Sequence, residues 1–307
     1  MSNASPAPTY HSGTQSVPAA SSDATPAERA IALQFLQMLA GEVSKGTVDL
    51  PCFPDVVTRI SHALADPTTT SDKVVTIVGA EPRLAARIVQ TANSAAFNSS
   101  GKPLTELRAA ITRLGQQMVQ STAVSYAMQQ VRDESLLKSI ANPLTDLWNR
   151  SIEVASISRL LARRTRLPAD EAFLAGLLHG IGKLYIMVRA AMRPQGVGID
   201  NSWLELVASW HASIGKAVLQ SWGFSEAMCD AIGDQGDLDR RWKHAASLTD
   251  VLIASTVLAD ALHMPEPRSI GNEGIHAFLS IGVTPADCLD ILKEADEQIC
   301  LVHNALS

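Results

Sequence analysis

Gly176-Leu177-Leu178-His179-Gly180-Ile181-Gly182-Lys183-Leu184 is the stretch on which the fold turns. Phe173, Leu177, Ile181 and Leu184 recur around it at helical spacing, so one face looks into an apolar core. A histidine, two glycines and a lysine are out of place in such a helix, because each interior glycine costs about 1 kcal/mol relative to alanine. A close packing contact or a site is the expected compensation. Gly180-x-Gly182-Lys183 lacks the spacing and the Ser/Thr of a phosphate loop, and no strand precedes it. Tight packing on a neighbouring helix is the preferred reading, with Lys183 kept as a candidate anion contact.

Outward from this stretch the chain reads as helical throughout. Upstream, Val154, Ile157 and Leu161 mark one face of a long helix ending in Arg163, Arg164 and Arg166. Earlier still, Val56, Ile60 and Leu64, then Val74, Ile77 and Val78, then Leu84, Ile88 and Ala92 repeat the pattern, with Pro54, Pro67, Pro82 and Pro103 as punctuation. A first helix is expected from Thr25-Pro26, with Leu33, Leu36 and Ala40 as its stripe. Downstream, Gly196 and Gly198 mark a loop, and helices are expected near 202–209, 211–222, 225–233 and 245–263. Residues 270–303 read as two more, split at Thr284-Pro285. No alternating run with hairpin turns supports a strand. Residues 1–26, rich in Ser, Ala, Pro and Thr, are expected to be a disordered tail.

A chain of 307 residues that is 46% hydrophobic and 18% charged has ample material for a core. Its net charge of −6 gives no general pull toward nucleic acid or an anionic membrane surface. No uninterrupted apolar run of the roughly 20 residues needed to span a bilayer is read, and no secretion signal precedes the fold. Cys52, Cys229, Cys288 and Cys300 form no C-x-x-C pair, so they are expected to be reduced, in a cytoplasmic protein. The cluster Arg159, Arg163, Arg164 and Arg166 is read as complementing a helix C-terminus, and Arg240-Arg241-Trp242-Lys243-His244 as a docked loop. His62, His244, His263, His276 and His303 show no ligand spacing.

An ordered series of motifs is more specific. Leu50-Pro51-Cys52-Phe53-Pro54 is followed by Glu81-Pro82-Arg83-Leu84-Ala85-Ala86-Arg87-Ile88, by Thr91-Ala92-Asn93-Ser94-Ala95-Ala96-Phe97, and by Ile111-Thr112-Arg113-Leu114-Gly115. Together with the His179 stretch, this series resembles the HDOD family, the HD-related output domain of bacterial signalling proteins, over roughly residues 48–263. The resemblance implies an all-α fold of two packed helical lobes. It divides the chain into a tail over 1–26, an N-terminal lobe over 27–140, a degenerate HD-like lobe over 141–265, and a C-terminal extension over 266–307 that packs on either lobe. Asn93-Ser94 is a hallmark of the family and is expected to form a structural turn.

The resemblance also implies where a metal site would stand. In working HD proteins a histidine, an adjacent His-Asp pair and a distant aspartate hold the ion; here the matching positions carry Arg150, His179 with Gly180, and Asp260. An extra histidine matches His211, and a further His-His pair, expected near Gln235-Gly236, is absent. Arginine has no lone pair to offer and stays cationic, and glycine offers no side chain. Metal-activated hydrolysis is therefore not expected: no catalytic residue, metal or cofactor is assigned. Arg150 shares a face with Val154, Ile157 and Leu161, and Asp260 with Ile253 and Val257. Arg150 is expected to point inward and Asp260 to be at least partly buried, with the guanidinium in the vacated metal position and paired with Asp260. The function implied is regulatory and non-catalytic, through contacts with another signalling protein or a second copy. No receiver, GGDEF-like or EAL-like domain fits in the remaining residues, so input is expected from another chain or from a small ligand between the lobes. The alternatives are a phosphohydrolase acting on a nucleotide through a divalent ion on His179, His211 and Asp260, and a nucleotide sensor.

Overall fold

The computed structural model describes residues 34, 35, 37–39, 41–42, 50–51, 53–98, 100–193, 201–239, 245–264 and 274–306, with backbone alone for 201–206. The 1–26 tail, the helix start at Thr25-Pro26, the stripe of Leu33, Leu36 and Ala40, Cys52, the Gly196–Gly198 loop and the Arg240–His244 patch lie outside the described residues.

Among the described residues there is no strand; the fold is all-α. Described residues between 34 and 42 are helical and bury Phe35 and Leu39. Then come α1 (Asp55–Ala65), α2 (Ser71–Gly79) and α3 (Pro82–Asn93). Pro54 caps the first, the Thr70 hydroxyl accepts from the Lys73 amide at the second, and Pro82 opens the third, where a missing N–H is harmless. The long α4 (Leu107–Asp133) bends at Gly115, whose φ of 75° lies in the region glycine alone adopts freely. Beyond that bend α4 is buried almost continuously from Met118 to Gln129.

A 3-10 turn (Ser135–Ile140) leads into α5 (Ala141–Thr165), which ends on Arg166 in the left-handed conformation. Next come α6 (Ala169–Leu178), α7 (Ile181–Ala191), α8 (Asn201–Ser221), α9 (Glu226–Gly233) and α10 (Leu248–Leu262). The chain closes with α11 (Ile275–Ser280) and α12 (Pro285–Leu306). Ser247 and Asp250 form a reciprocal cap at α10, and Thr284 and Asp287 exchange the same bonds ahead of α12.

Three sequence expectations are corrected. Residues 201–221 form one helix, not two broken near Trp210, because no glycine or proline stands at that point and the helix continues even through Gly215. The Phe173–Leu184 pattern spans two helices, with His179 at the end of α6 and Gly180 ahead of α7. Third, Ala169–Ala191 has the length and apolar composition of a membrane-crossing segment, although no such run was expected; 83% of its apolar window is buried inside the fold, so the core accounts for it.

Packing is organised around α5. It lies along α6, α10 and α12, while α7 and α9 pack on α8, and α3 on α4. One buried apolar cluster runs continuously from Phe35 to Leu306. Arg159 of α5 sits over the rings of Phe97 and Phe173 at 5.1 and 5.8 Å and pairs with Asp170 at 2.9 Å. Arg164 reaches Glu294 of α12 at 2.9 Å. These two members of the arginine cluster thus join helices together, where solvation at a helix end was the expectation. The N-terminal helical residues pack on α7: Glu42 accepts from the Tyr185 hydroxyl at 2.9 Å and pairs with Arg189.

Candidate functional site

Three glycines bring the HD-like positions together. A methyl group on Gly176 would overlap the Ala155 backbone, so α6 and α5 touch main chain to main chain. One on Gly182 would overlap the His211 carbonyl, so α7 and α8 meet in the same way. One on Gly180 would lie 2.5 Å from Leu147 Cδ1 and 3.8 Å from Ser151 Oγ. The glycines that looked misplaced in a helix are packing points.

Arg150 projects from α5 toward α10. Its Nη2 donates to Asp260 Oδ1 at 2.6 Å and to the Thr256 carbonyl at 2.8 Å, and Nη1 stands 3.6 Å from Glu153 Oε2. The expected pair forms. Arg150 points inward, its side chain 24% exposed, but Asp260 is more open than expected, its side chain 67% exposed. Asp260 sits one residue short of the buried Ala261, on the flank of α10, and reaches the guanidinium from the solvent side. Glu153, not singled out from sequence, also accepts from His263 Nε2 at 3.1 Å. Its position three residues after Arg150 on a helix was the available signal.

His179 is buried, and its Nδ1 donates to the Gly176 carbonyl at 2.8 Å. Burial, with the nearby charges of Lys183 and Arg150, pushes its pKa down to about 3, so the ring is neutral. His211 repeats the arrangement, Nδ1 to the Ala208 carbonyl at 2.8 Å, and burial with Lys183 lowers its pKa as well. Lys183 is lowered by burial and by Arg150, against an opposing pull from Asp260. Gln235, where a histidine pair was sought, donates its amide to the carbonyls of His179 and Ile232 at 3.0 and 2.9 Å. It ties α9 to the α6–α7 junction.

The HD superfamily implies a divalent ion, and the donor set here does not fit one. Asp260 Oδ1 is taken by the Arg150 guanidinium, which is itself cationic and has no lone pair, and Gly180 has no side chain to offer. Among the described residues no group of three or more His, Cys, Asp or Glu side chains is placed to hold a metal.

The N-terminal motifs are structural. Asn93 clasps Leu104 with both amide atoms, each at 2.7 Å, and Arg113 donates to the carbonyls of Ala92 and Lys102 at 3.1 and 3.0 Å. The loop so closed holds Phe97 under Arg159.

The model of the HDOD domain matches residues 50–238, well over half the chain. The chain belongs to the HDOD family. Solved structures agree with that assignment. An HDOD domain protein of unknown function from Geobacter sulfurreducens is 26% identical, with a TM-score of 0.59 over 89% of this chain and 98% of that one. A chain from Shewanella amazonensis SB2B, whose name proposes a metal-dependent phosphohydrolase, is 26% identical, with a TM-score of 0.65 over 90% and 100%. A chain from Marinobacter aquaeolei VT8, whose name proposes a signal transduction protein, is 20% identical (TM-score 0.60, 91% and 66% coverage) and speaks to the fold alone. No curated protein matches. The HDOD match begins at Leu50 and ends at Leu238, so α10, which carries Asp260, lies beyond it.

Proposed function

We propose that this HDOD protein is a non-catalytic regulatory module that acts through contacts with another signalling protein. One observation carries the reading: the Arg150 guanidinium is bonded to Asp260 and to the Thr256 carbonyl where a hydrolase would need imidazole and a free carboxylate. A cation fixed at that point repels a second one, and a phosphoester hydrolase of this kind needs the metal to acidify its water. The rival reading is the one the Shewanella neighbour's name suggests, metal-dependent hydrolysis of a nucleotide phosphoester. Protein purified without chelator is expected to hold no stoichiometric transition metal and to show no phosphodiesterase turnover with manganese. Stoichiometric metal with turnover abolished by both His179→Ala and Asp260→Asn would overturn the proposal.

A second reading, a nucleotide sensor, is favoured by Lys183, which makes no hydrogen bond or ion pair to a described residue although burial and Arg150 both disfavour its charge. An anion there would supply what the ammonium lacks. A nucleotide at 100 times its Kd would raise stability by about 2.7 kcal/mol, and a Lys183→Met variant would lose that response. An unchanged melting curve across a nucleotide panel dismisses this reading.

A further inference from the structure

A cavity of about 330 Å³ opens where α1 and α4 meet α6 and the turn before α9. It shares no residue with the Arg150 cluster. Its walls are of two kinds. Leu64, Leu174, Phe224 and Met228 make an apolar side. Ser61, Gln117, Gln120, Glu171 and Ser225 supply the polar atoms.

The hydrogen bonds inside the cavity set its polarity. The Ser61 hydroxyl donates to the Val57 carbonyl at 2.9 Å, so its oxygen can only accept from Gln120. Gln120 Nε2 makes that donation at 2.9 Å, which turns the amide so that its Oε1 is the end left over. Gln120 is 5% exposed, and Oε1 has no partner among the described residues. Glu171, in the first turn of α6, is the charged group among the described lining residues, and it makes no ion pair to a described residue. An amide oxygen and a carboxylate thus face one cavity beside its apolar side, and both accept hydrogen bonds. An occupant that carries N–H donors could bond both oxygens at once.

We propose that this cavity is a binding site for a small organic amine: a protonated amino group donating to Glu171 and Gln120 Oε1, with an apolar body against Leu174, Phe224 and Met228. The volume is at the lower end of small-molecule pockets, which suits a body of one ring or a short chain. Such a ligand would touch the N-terminal helices and the helices around His179 at once, so its binding would bias how the two pack. The proposal stands apart from the regulatory reading, because the cavity could hold an amine whether or not the chain hydrolyses anything.

The test uses the full chain and three probes with closely similar bodies: phenethylammonium, phenethyl alcohol and phenylpropionate. Amide and methyl chemical shifts of the wild-type protein are followed at increasing probe concentration. Phenethylammonium is expected to perturb the cavity residues saturably and to bind at least about tenfold more tightly than the alcohol, with no saturable response to the acid. Glu171→Gln keeps the shape and removes the charge, and is expected to bring the ammonium down to the alcohol's affinity. Gln117→Trp, at the exposed edge, is expected to block both. Equal affinity of ammonium and alcohol, or shifts that map away from the cavity, would overturn the proposal. The wild-type comparison decides it even if a variant fails to fold.

Discussion

Arg150 and His179 carry opposite electrostatic lessons. Arg150 has its charge answered by Asp260 and stays near solvent, so the pair contributes as exposed ion pairs do. Asp260→Ala is expected to lower unfolding stability by under about 1 kcal/mol, measured as a shift in urea midpoint. A larger loss would show that the guanidinium depends on that carboxylate far more than its exposure implies. His179 is neutral because burial forbids its charge, with its pKa at about 3 in the fold and near 6.5 in the unfolded chain. Between those values the unfolded chain binds the extra proton, so stability falls as pH drops below about 6.5, by up to about 1.4 kcal/mol per pH unit for this one group. His211 shifts in the same direction and adds to the effect. Urea unfolding at pH 5, 6 and 7 should show the slope, and His179→Gln should flatten it. A stability that is constant across that range would contradict the buried neutral ring. The arginine at 150 and the glycine at 180 were noticed in the sequence because they sit in a recognisable motif order. The contacts of Glu153 with His263 and of Gln235 with His179 were not, since those partners lie on elements whose approach no spacing discloses.

At the scale of helices, the glycines divide by what their neighbour can do. A methyl at Gly182 meets the backbone of α8, which cannot move without shifting the helix; Gly182→Ala is expected to cost about 3 kcal/mol or more. At Gly180 the obstacle is the end of the Leu147 side chain, which can rotate, so Gly180→Ala is expected to cost about 1 kcal/mol or less. Thermal unfolding of the two variants side by side checks the order; equal losses would mean the α7–α8 contact is softer than its geometry. Helix existence was legible from apolar period and proline position. The junction at His179–Gly180 was not, because a two-residue break leaves the apolar period almost intact. The continuity of α8 was missed for the converse reason: its mixed polar face near Trp210 and His211 imitates a boundary that no glycine or proline enforces.

Over the whole molecule, α12 stitches the chain together. It runs along α5, bonds through Glu294 to Arg164, and offers the Ala305 and Leu306 carbonyls to Thr91 and Gln129. Ile291, Leu292, Val302 and Leu306 are buried in the same cluster as the N-terminal helices. Truncation before Thr284 is therefore expected to destabilise residues 55–133 as well as 141–262, and the intact chain to unfold in one cooperative transition by circular dichroism and tryptophan fluorescence alike. Two separated transitions would mean the cluster is two cores in contact. Arg159→Met tests the other tie, between the Asn93 loop and α6, and is expected to cost about 2 kcal/mol through the lost ion pair and ring contacts.

The amino-acid order by itself determined that the chain is helical, where most helices begin, which family it joins, and that an arginine and a glycine stand at 150 and 180. Those features rest on local propensity, on apolar period and on the chemistry of single side chains, all of which are properties of residues near one another in the chain. Only the tertiary structure decided that Asp260 meets Arg150 from the solvent side, that α12 joins both halves, and that Gln120 and Glu171 face one cavity. Such facts depend on the distance of approach between helices far apart in sequence, and that distance is set by backbone contacts at Gly176 and Gly182 which no pattern of side chains states.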